Sequence, residues 1–158
     1  MNKICVFPGS FNPFTLGHLD VVKGALHYFE EVIVAVAEIT YKQNTPSAEV
    51  RAEIAKKSLD GLRGVRVECF KGMLTDYLFE RDCKNIVRGI RDDKDRVYEK
   101  ALLDFYKKAD ADIEATYIAA SRPFISSGTV RSILNTNDVE LKKYVAENAI
   151  EDVLKYYG

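Results

Sequence analysis

Neither sign of charge dominates this chain: 23 lysines and arginines stand against 24 aspartates and glutamates, for a formal net charge of −1. Without a global basic field there is no general hold on nucleic acid, and no nucleic-acid partner is expected; a local basic pocket of the kind a small anion needs stays open. Long apolar runs are missing too. The first, Ile4 to Phe7, stops at Pro8-Gly9 and is too short for a signal-peptide core or a membrane span. A cytoplasmic protein with no membrane partner is therefore expected. Cysteine is scarce and odd in number (Cys5, Cys69 and Cys83), with no CxxC spacing, which argues against a disulfide framework or a zinc knuckle. Cys5 and Cys69 lie in apolar strand-like runs, where burial as small hydrophobes is expected. Repeats, low-complexity tracts and Pro/Gly-rich linkers are absent, and 158 residues fit one domain spanning 1–158. The familiar phosphate motifs are missing as well. Without GxGxxG a dinucleotide-binding oxidoreductase is disfavoured, and without GxxxxGK[ST] a Walker-type NTPase is disfavoured.

What the chain does have is alternation. Lys3 to Phe7, Val32 to Ala37, Val65 to Phe70, Asn85 to Arg88 and Ile113 to Ala119 read as short apolar strands. VIVAVA at 32–37 is apolar on consecutive residues, as a strand buried on both faces would be. Between them, Gly17 to Tyr28, Arg51 to Leu59 (with Ser47 as N-cap), Met73 to Arg81 and Tyr98 to Lys108 carry helical spacing. Ser127 to Leu134 and Val139 to Tyr157 follow as a C-terminal helical tail. Strands alternating with helices of this length predict an α/β fold: a Rossmann-like, doubly wound, five-stranded parallel sheet. Such sheets bind ligands outside the carboxyl ends of the strands, at the topological switch point.

The polar residues at those ends are therefore the ones to read. After the first strand comes Pro8-Gly9-Ser10-Phe11-Asn12-Pro13-Phe14-Thr15-Leu16-Gly17-His18. Gly9 permits a tight turn and a close approach of backbone N–H groups to phosphate. Ser10 can donate through its N–H and its hydroxyl. Gly17-His18 opens a helix whose N-terminal N–H groups favour anions. An isolated histidine there would be an ordinary solvated helix start; its place behind a glycine-containing loop in the first βα unit shifts the balance toward function. Arg88 and Arg91 follow the fourth strand. Their guanidinium forks match phosphate oxygens, and surface ion pairs with Asp92, Asp93 or Asp95 are an equally good account of them. Ser126 and Ser127 precede a helix, as N-caps or as a second anion site. Lys42 follows the second strand. Four of the five strand ends thus carry anion-binding chemistry, as a site for a triphosphate and a phosphorylated acceptor requires.

These residues resemble bacterial phosphopantetheine adenylyltransferases, in the nucleotidyltransferase superfamily that carries the (H/T)xGH signature. Here the signature is Thr15-Leu16-Gly17-His18, joined by RGIR at 88–91, Tyr98-Glu99 and ISSGTVR at 125–131. The resemblance runs nearly end to end. It implies that Ser10 and Phe11 meet ATP, that Ser10 also touches the acceptor, and that His18 holds the reacting phosphate. Lys42, Leu74 and Arg88 would line the 4′-phosphopantetheine side. Gly89, Ile90, Arg91 and Glu99 would contact the nucleotide, and Arg122, Pro123, Phe124, Ile125, Ser126, Ser127 and Gly128 would cover adenine and phosphates. It also implies Mg²⁺ with ATP, no dedicated protein metal site, a homohexamer, and feedback inhibition by coenzyme A. The chain departs from the family pattern at Ser10 (commonly Thr), at Asn12 (usually Asp), at Arg96-Val97, and in a shortened segment bearing Arg122-Pro123.

The expected reaction is in-line attack by the acceptor phosphate on the α-phosphorus of ATP, without a covalent intermediate, giving dephospho-coenzyme A and pyrophosphate. His18, Lys42, Arg91 and Ser10 are the expected catalytic set. Rival readings are a sister transferase acting on nicotinamide mononucleotide or a polyol phosphate, and a non-catalytic nucleotide sensor. An aminoacyl-tRNA synthetase shares the GH signature, but this chain is too short for tRNA-binding domains.

Overall fold

A computed structural model of the chain describes residues 2–39, 44–134 and 138–158. Lys42, an expected site residue, lies outside the described residues. The elements run β1 (Asn2–Gly9), α1 (Leu16–Ala25), β2 (Phe29–Ala37), α2 (Ala48–Ser58), β3 (Val65–Phe70), α3 (Leu74–Glu80), β4 (Asn85–Ile90), α4 (Asp93–Ala109), β5 (Glu114–Ala119) and α5 (Ser127–Ile133). They end in α6 (Asp138–Leu141), a 3₁₀ turn at Glu147–Ala149, and α7 (Ile150–Tyr157). The five strands form one parallel sheet in the order β3-β2-β1-β4-β5. This is the Rossmann-like architecture expected. All strand carboxyl ends lie along one edge, and the winding reverses between β1 and β4.

Strand alternation divides the core in two. Cys5, Phe7, Val32, Val34 and Val36 point to one face and pack against Val22 and Ala25 of α1, Ala52 and Ala55 of α2, Val130 of α5 and Val153 of α7. Val6, Ile33, Ala35 and Ile86 point to the other and pack against Leu74, Tyr77 and Leu78 of α3, with Leu103 and Tyr106 of α4 at the margin. Burying each large aliphatic side chain stabilises the fold by roughly 1.5–3 kcal/mol. The two-sided burial explains why VIVAVA is apolar without a break.

Several boundaries differ from the sequence expectation, each for a visible reason. β4 runs through to Ile90, so Arg88 sits inside the strand rather than beyond it. α4 begins at Asp93, five residues before Tyr98, because the Asp92 carboxylate caps it by accepting from the Asp95 N–H at 2.9 Å. The tail from Val139 to Tyr157 is not one helix; it is broken between Leu141 and Glu147. Cys5 is buried as expected, whereas Cys69 is exposed. The reason is that β3 is an edge strand with no neighbour on its outer side. Among the described residues no helix is long and apolar enough to cross a membrane.

Candidate active site

The carboxyl ends of β1 and β4 open into a groove of about 570 Å³, within the range of small-molecule sites. Of the residues expected at the site, Ser10, Phe11, His18, Arg88, Gly89, Arg91, Glu99, Arg122, Ile125, Ser126, Ser127 and Gly128 line it together. Ile90, Pro123 and Phe124 are not among its lining residues. Leu74 is buried on the opposite face of the sheet, beside Tyr77 and Leu78 in the second core cluster. Tyr98, Asp95, Val21 and Ala120 join the lining.

The loop from Pro8 to Thr15 is the centre of the site, and its shape is set by a turn, a cap and a set of rings. Phe11 has φ +46°, a left-handed conformation uncommon for a residue with a Cβ. Its ring is held between Phe7 (centroids 5.1 Å apart), Phe14 (5.5 Å) and His18 (5.0 Å). Thr15 then caps α1. Its side chain accepts from the His18 N–H at 3.4 Å, and its own N–H donates to Nδ1 of His18 at 2.9 Å. That second bond matters for chemistry. A ring nitrogen that accepts from a backbone N–H carries no proton, so the imidazole is the tautomer with hydrogen on Nε2. Burial, followed by the positive charges of Arg88 and Arg91, pulls the His18 pKa down to about 4. His18 is therefore a neutral hydrogen-bond donor across the physiological range.

Gly17 brings α1 close to the segment before α5. A Cβ at this position would lie 2.8 Å from the Ile125 carbonyl oxygen. On the other side, Ser127 Oγ donates to the Pro13 carbonyl at 2.7 Å, and Ser126 Oγ caps α5 by accepting from the Thr129 N–H at 3.1 Å. The serines thus cap the helix and also tie it to the first loop.

The three groove arginines are each met by a carboxylate. Arg88 donates from Nε and a terminal nitrogen to both oxygens of Glu99, at 2.8–3.0 Å, and from its other terminal nitrogen to the Pro8 carbonyl at 2.8 Å. Glu99 is 6% exposed and is the buried residue of α4. Arg91 pairs with Asp95 (3.3 Å) and remains half exposed. Of the ion pairs considered from the sequence, Arg91–Asp95 forms, while Arg88 chooses Glu99 instead. Arg122 reaches back to α1, where it grips both oxygens of Asp20 at 2.8 Å. Burial works to raise the Asp20 carboxyl; hydrogen bonds from Arg122 and Ser121 outweigh it and hold the carboxyl below its ordinary value.

A layer of residues behind the loop escaped the sequence reading. Arg51 of α2 donates to the Ser10 carbonyl, Arg131 of α5 to the Asn12 carbonyl at 2.6 Å, and Tyr157 of α7 to the Asn12 side-chain oxygen at 2.6 Å. Arg131 closes the ISSGTVR motif, and Arg51 left a signal of another kind: it falls on the buried stripe of α2 with Ala48, Ala52 and Ala55, where a charge is out of place. Among the described residues no three His, Cys, Asp or Glu side chains gather closely enough to hold a metal ion.

The profile of the cytidylyltransferase-like family matches residues 6–133. A phosphopantetheine adenylyltransferase of Nautilia profundicola is 37% identical over 150 residues, covering 94% of this chain and 97% of the relative. That of Clostridium novyi is 32% identical over 158 residues, covering 99% and 98%. Among solved structures, nicotinic acid mononucleotide adenylyltransferase of Plasmodium falciparum complexed with NaAD aligns with a TM-score of 0.68 at 17% identity, covering 99% of this chain and 96% of the other. A bifunctional NMN adenylyltransferase/ADP ribose pyrophosphatase from Francisella tularensis aligns with a TM-score of 0.70 at 20% identity, over 98% of this chain and 50% of the other. At such identities these two speak for the fold.

Proposed function

The chain belongs to the cytidylyltransferase-like family and to its phosphopantetheine adenylyltransferases, and from that premise we propose that it transfers the adenylyl group of ATP to 4′-phosphopantetheine, giving dephospho-coenzyme A and pyrophosphate. The observation that carries the reading is the Thr15 N–H to His18 Nδ1 bond at 2.9 Å. It leaves a neutral imidazole with its proton on Nε2 at a groove lined by arginines.

The acceptor phosphate is largely dianionic at pH 7, since its second pKa is near 6, so the attack needs no general base. An acceptor oxygen bonds to the α-phosphorus in line with the leaving bridge oxygen. The bond to that oxygen breaks and pyrophosphate departs, with no enzyme-bound covalent state. What the protein supplies is positioning and charge stabilisation. His18 Nε2–H donates to an α-phosphate oxygen as charge builds. Arg91, only half engaged by Asp95, turns to the phosphates, with Lys42 on the second strand's side. Ser10 and Arg88 fix the acceptor phosphate. Phe11, Gly89, Ile90 and Glu99 meet the nucleotide, and residues 122–128 close over the adenine. ATP enters as its Mg²⁺ complex. The groove carboxylates Asp95 and Glu99 are already met by arginines, which suits an ion ligated by phosphate oxygens and water. The family resemblance extends the proposal to a cytoplasmic homohexamer under feedback inhibition by coenzyme A.

Pyrophosphate release from Mg-ATP with phosphopantetheine, nicotinamide mononucleotide and glycerol 3-phosphate, each tried separately, tests the reading. Release with phosphopantetheine alone supports it. Release with another acceptor keeps the chemistry and overturns the acceptor. No release with any, despite ATP binding, returns the protein to the sensor class.

A further inference from the structure

Arg51 is 1% exposed, yet among the described residues no carboxylate bonds to it in the way that Glu99, Asp95 and Asp20 bond to the groove arginines. Its hydrogen bonds go to three backbone carbonyls from separate parts of the chain. Nε donates to Pro46 at 2.9 Å, and one terminal nitrogen donates to Ala37 at 2.9 Å and to Ser10 at 2.5 Å. Burying a guanidinium is costly unless it is fully bonded, and a packed apolar residue would serve stability as well. The position therefore calls for a reason beyond packing.

The three acceptors supply it. Ala37 ends β2 and Pro46 precedes α2, so the two flank in sequence the segment that holds Lys42. Ser10 lies in the phosphate loop and lines the groove. The Ser10–Phe11 peptide is planar and trans, so its N–H, which belongs to Phe11, points opposite to its carbonyl. Arg51, on α2, bonds that carbonyl, and so the Phe11 N–H is turned away from the guanidinium. The same peptide leads into the left-handed φ of Phe11, a conformation that persists only where its surroundings hold it.

We propose that Arg51 is a positioning residue for adenylyl transfer: it aims the Phe11 N–H at the nucleotide phosphates and ties the end of β2 and the approach to α2 to the same loop. The proposal rests on the adenylyl-transfer reading above. Arg51 touches no reacting atom; it acts through the Ser10–Phe11 peptide. Lysine at this position would keep the charge but concentrate the donors on one nitrogen, which cannot span three carbonyls facing a planar fork.

The test compares Arg51→Lys with Ile54→Val, a core substitution on the same helix that leaves the loop untouched. Wild type is assayed first for pyrophosphate release with phosphopantetheine. Below both melting transitions, Arg51→Lys should lose about 10–10² in kcat, since a misplacement of about 1 Å can cost 10²-fold. Ile54→Val should keep the wild-type kcat. Equal kcat in the two variants overturns the proposal. A second measurement needs no variant: the Arg51 Nε–H resonance of ¹⁵N-labelled wild type should shift on saturation with Mg-ATP alone, and an unmoved resonance also overturns it. Should wild type release no pyrophosphate, the functional reading fails, and Arg51 is then judged by this resonance and by weaker Mg-ATP binding in Arg51→Lys.

Discussion

The backbone N–H of Thr15 donates to Nδ1 of His18 across 2.9 Å, so the residue that opens the first helix also chooses the tautomer of its histidine. One capping interaction thereby does two jobs. It satisfies an orphan donor before the helix and presents Nε2–H as the donor at the groove.

The first prediction follows from that proton's place. His18→Ala should fold and lose on the order of 10²–10³ in kcat, the usual cost of deleting one donor aimed at developing charge. His18→Gln, which can present an amide N–H, should recover part of the loss. Steady-state rates for both decide it; a near-wild-type His18→Ala would remove the imidazole from the chemistry.

The low pKa of His18 also has a stability signature. The unfolded chain takes up this proton near pH 6.5, the folded one only near 4. Between those values the unfolded state binds more protons, so stability falls as pH drops from 6.5 toward 4, by up to about 1.4 kcal/mol per pH unit from this group. Above pH 6.5 the group contributes no slope. Urea unfolding at pH 4.5–7.5 should show a shallower decline in His18→Gln than in wild type, and parallel curves would contradict the lowered pKa of His18.

Much of this site was legible because its residues are local to strand ends. Thr15 to His18, Arg88, Arg91, Ser126 and Ser127 stand where a βα alternation must put them, and the switch between β1 and β4 gathers them. What stayed hidden depends on distance along the chain. Arg51 meets Ser10 over 41 residues, Arg131 meets Asn12 over 119, and Tyr157 meets Asn12 over 145. Periodicity carries no information about such pairs. Asp20 was hidden differently: on a helix surface it reads as a solvated acid until Arg122 folds back onto it. Leu74 came only with the family resemblance, and its place in the core at the start of α3 comes from tertiary packing.

Asp20 yields the second substitution. Its bidentate pair with Arg122 holds the start of the 122–128 segment against α1. Since the Arg122 side chain is 38% exposed, the pair should be worth at most about 1 kcal/mol. Asp20→Asn should accordingly raise KM for ATP by about two- to fivefold and leave kcat and the acceptor KM near wild type. An unchanged ATP KM would detach the clamp from nucleotide binding.

Glu99 should behave differently, because its carboxylate is buried. Glu99→Gln leaves one acceptor oxygen for Arg88 and places an amide N–H₂ where a second oxygen met the guanidinium. An unsatisfied buried group costs about 1–3 kcal/mol, which denaturant titration would register as a lower midpoint. Arg88, held on that side by one oxygen instead of two, would be less firmly placed beside its bond to the Pro8 carbonyl, so KM for phosphopantetheine should rise more than KM for ATP. The opposite order would make contact with the nucleotide, rather than the hold on Arg88, the larger part of what Glu99 does.

Gly17 tests whether the two halves of the groove must touch. Its missing Cβ lets the first turn of α1 approach the Ile125 carbonyl, and a methyl there would stand 2.8 Å from that oxygen. The obstacle is backbone, which cannot swing aside as a side chain can, so Gly17→Ala must push the 122–128 segment away from His18. Alanine favours a helix over glycine by up to about 1 kcal/mol, so α1 itself should not suffer. The expected variant is therefore folded, with a melting temperature near wild type, and with kcat/KM for ATP reduced about tenfold or more, because the displaced segment carries Ser126 and Ser127. A variant that melts early and yet turns over normally at low temperature would show that the contact serves packing alone.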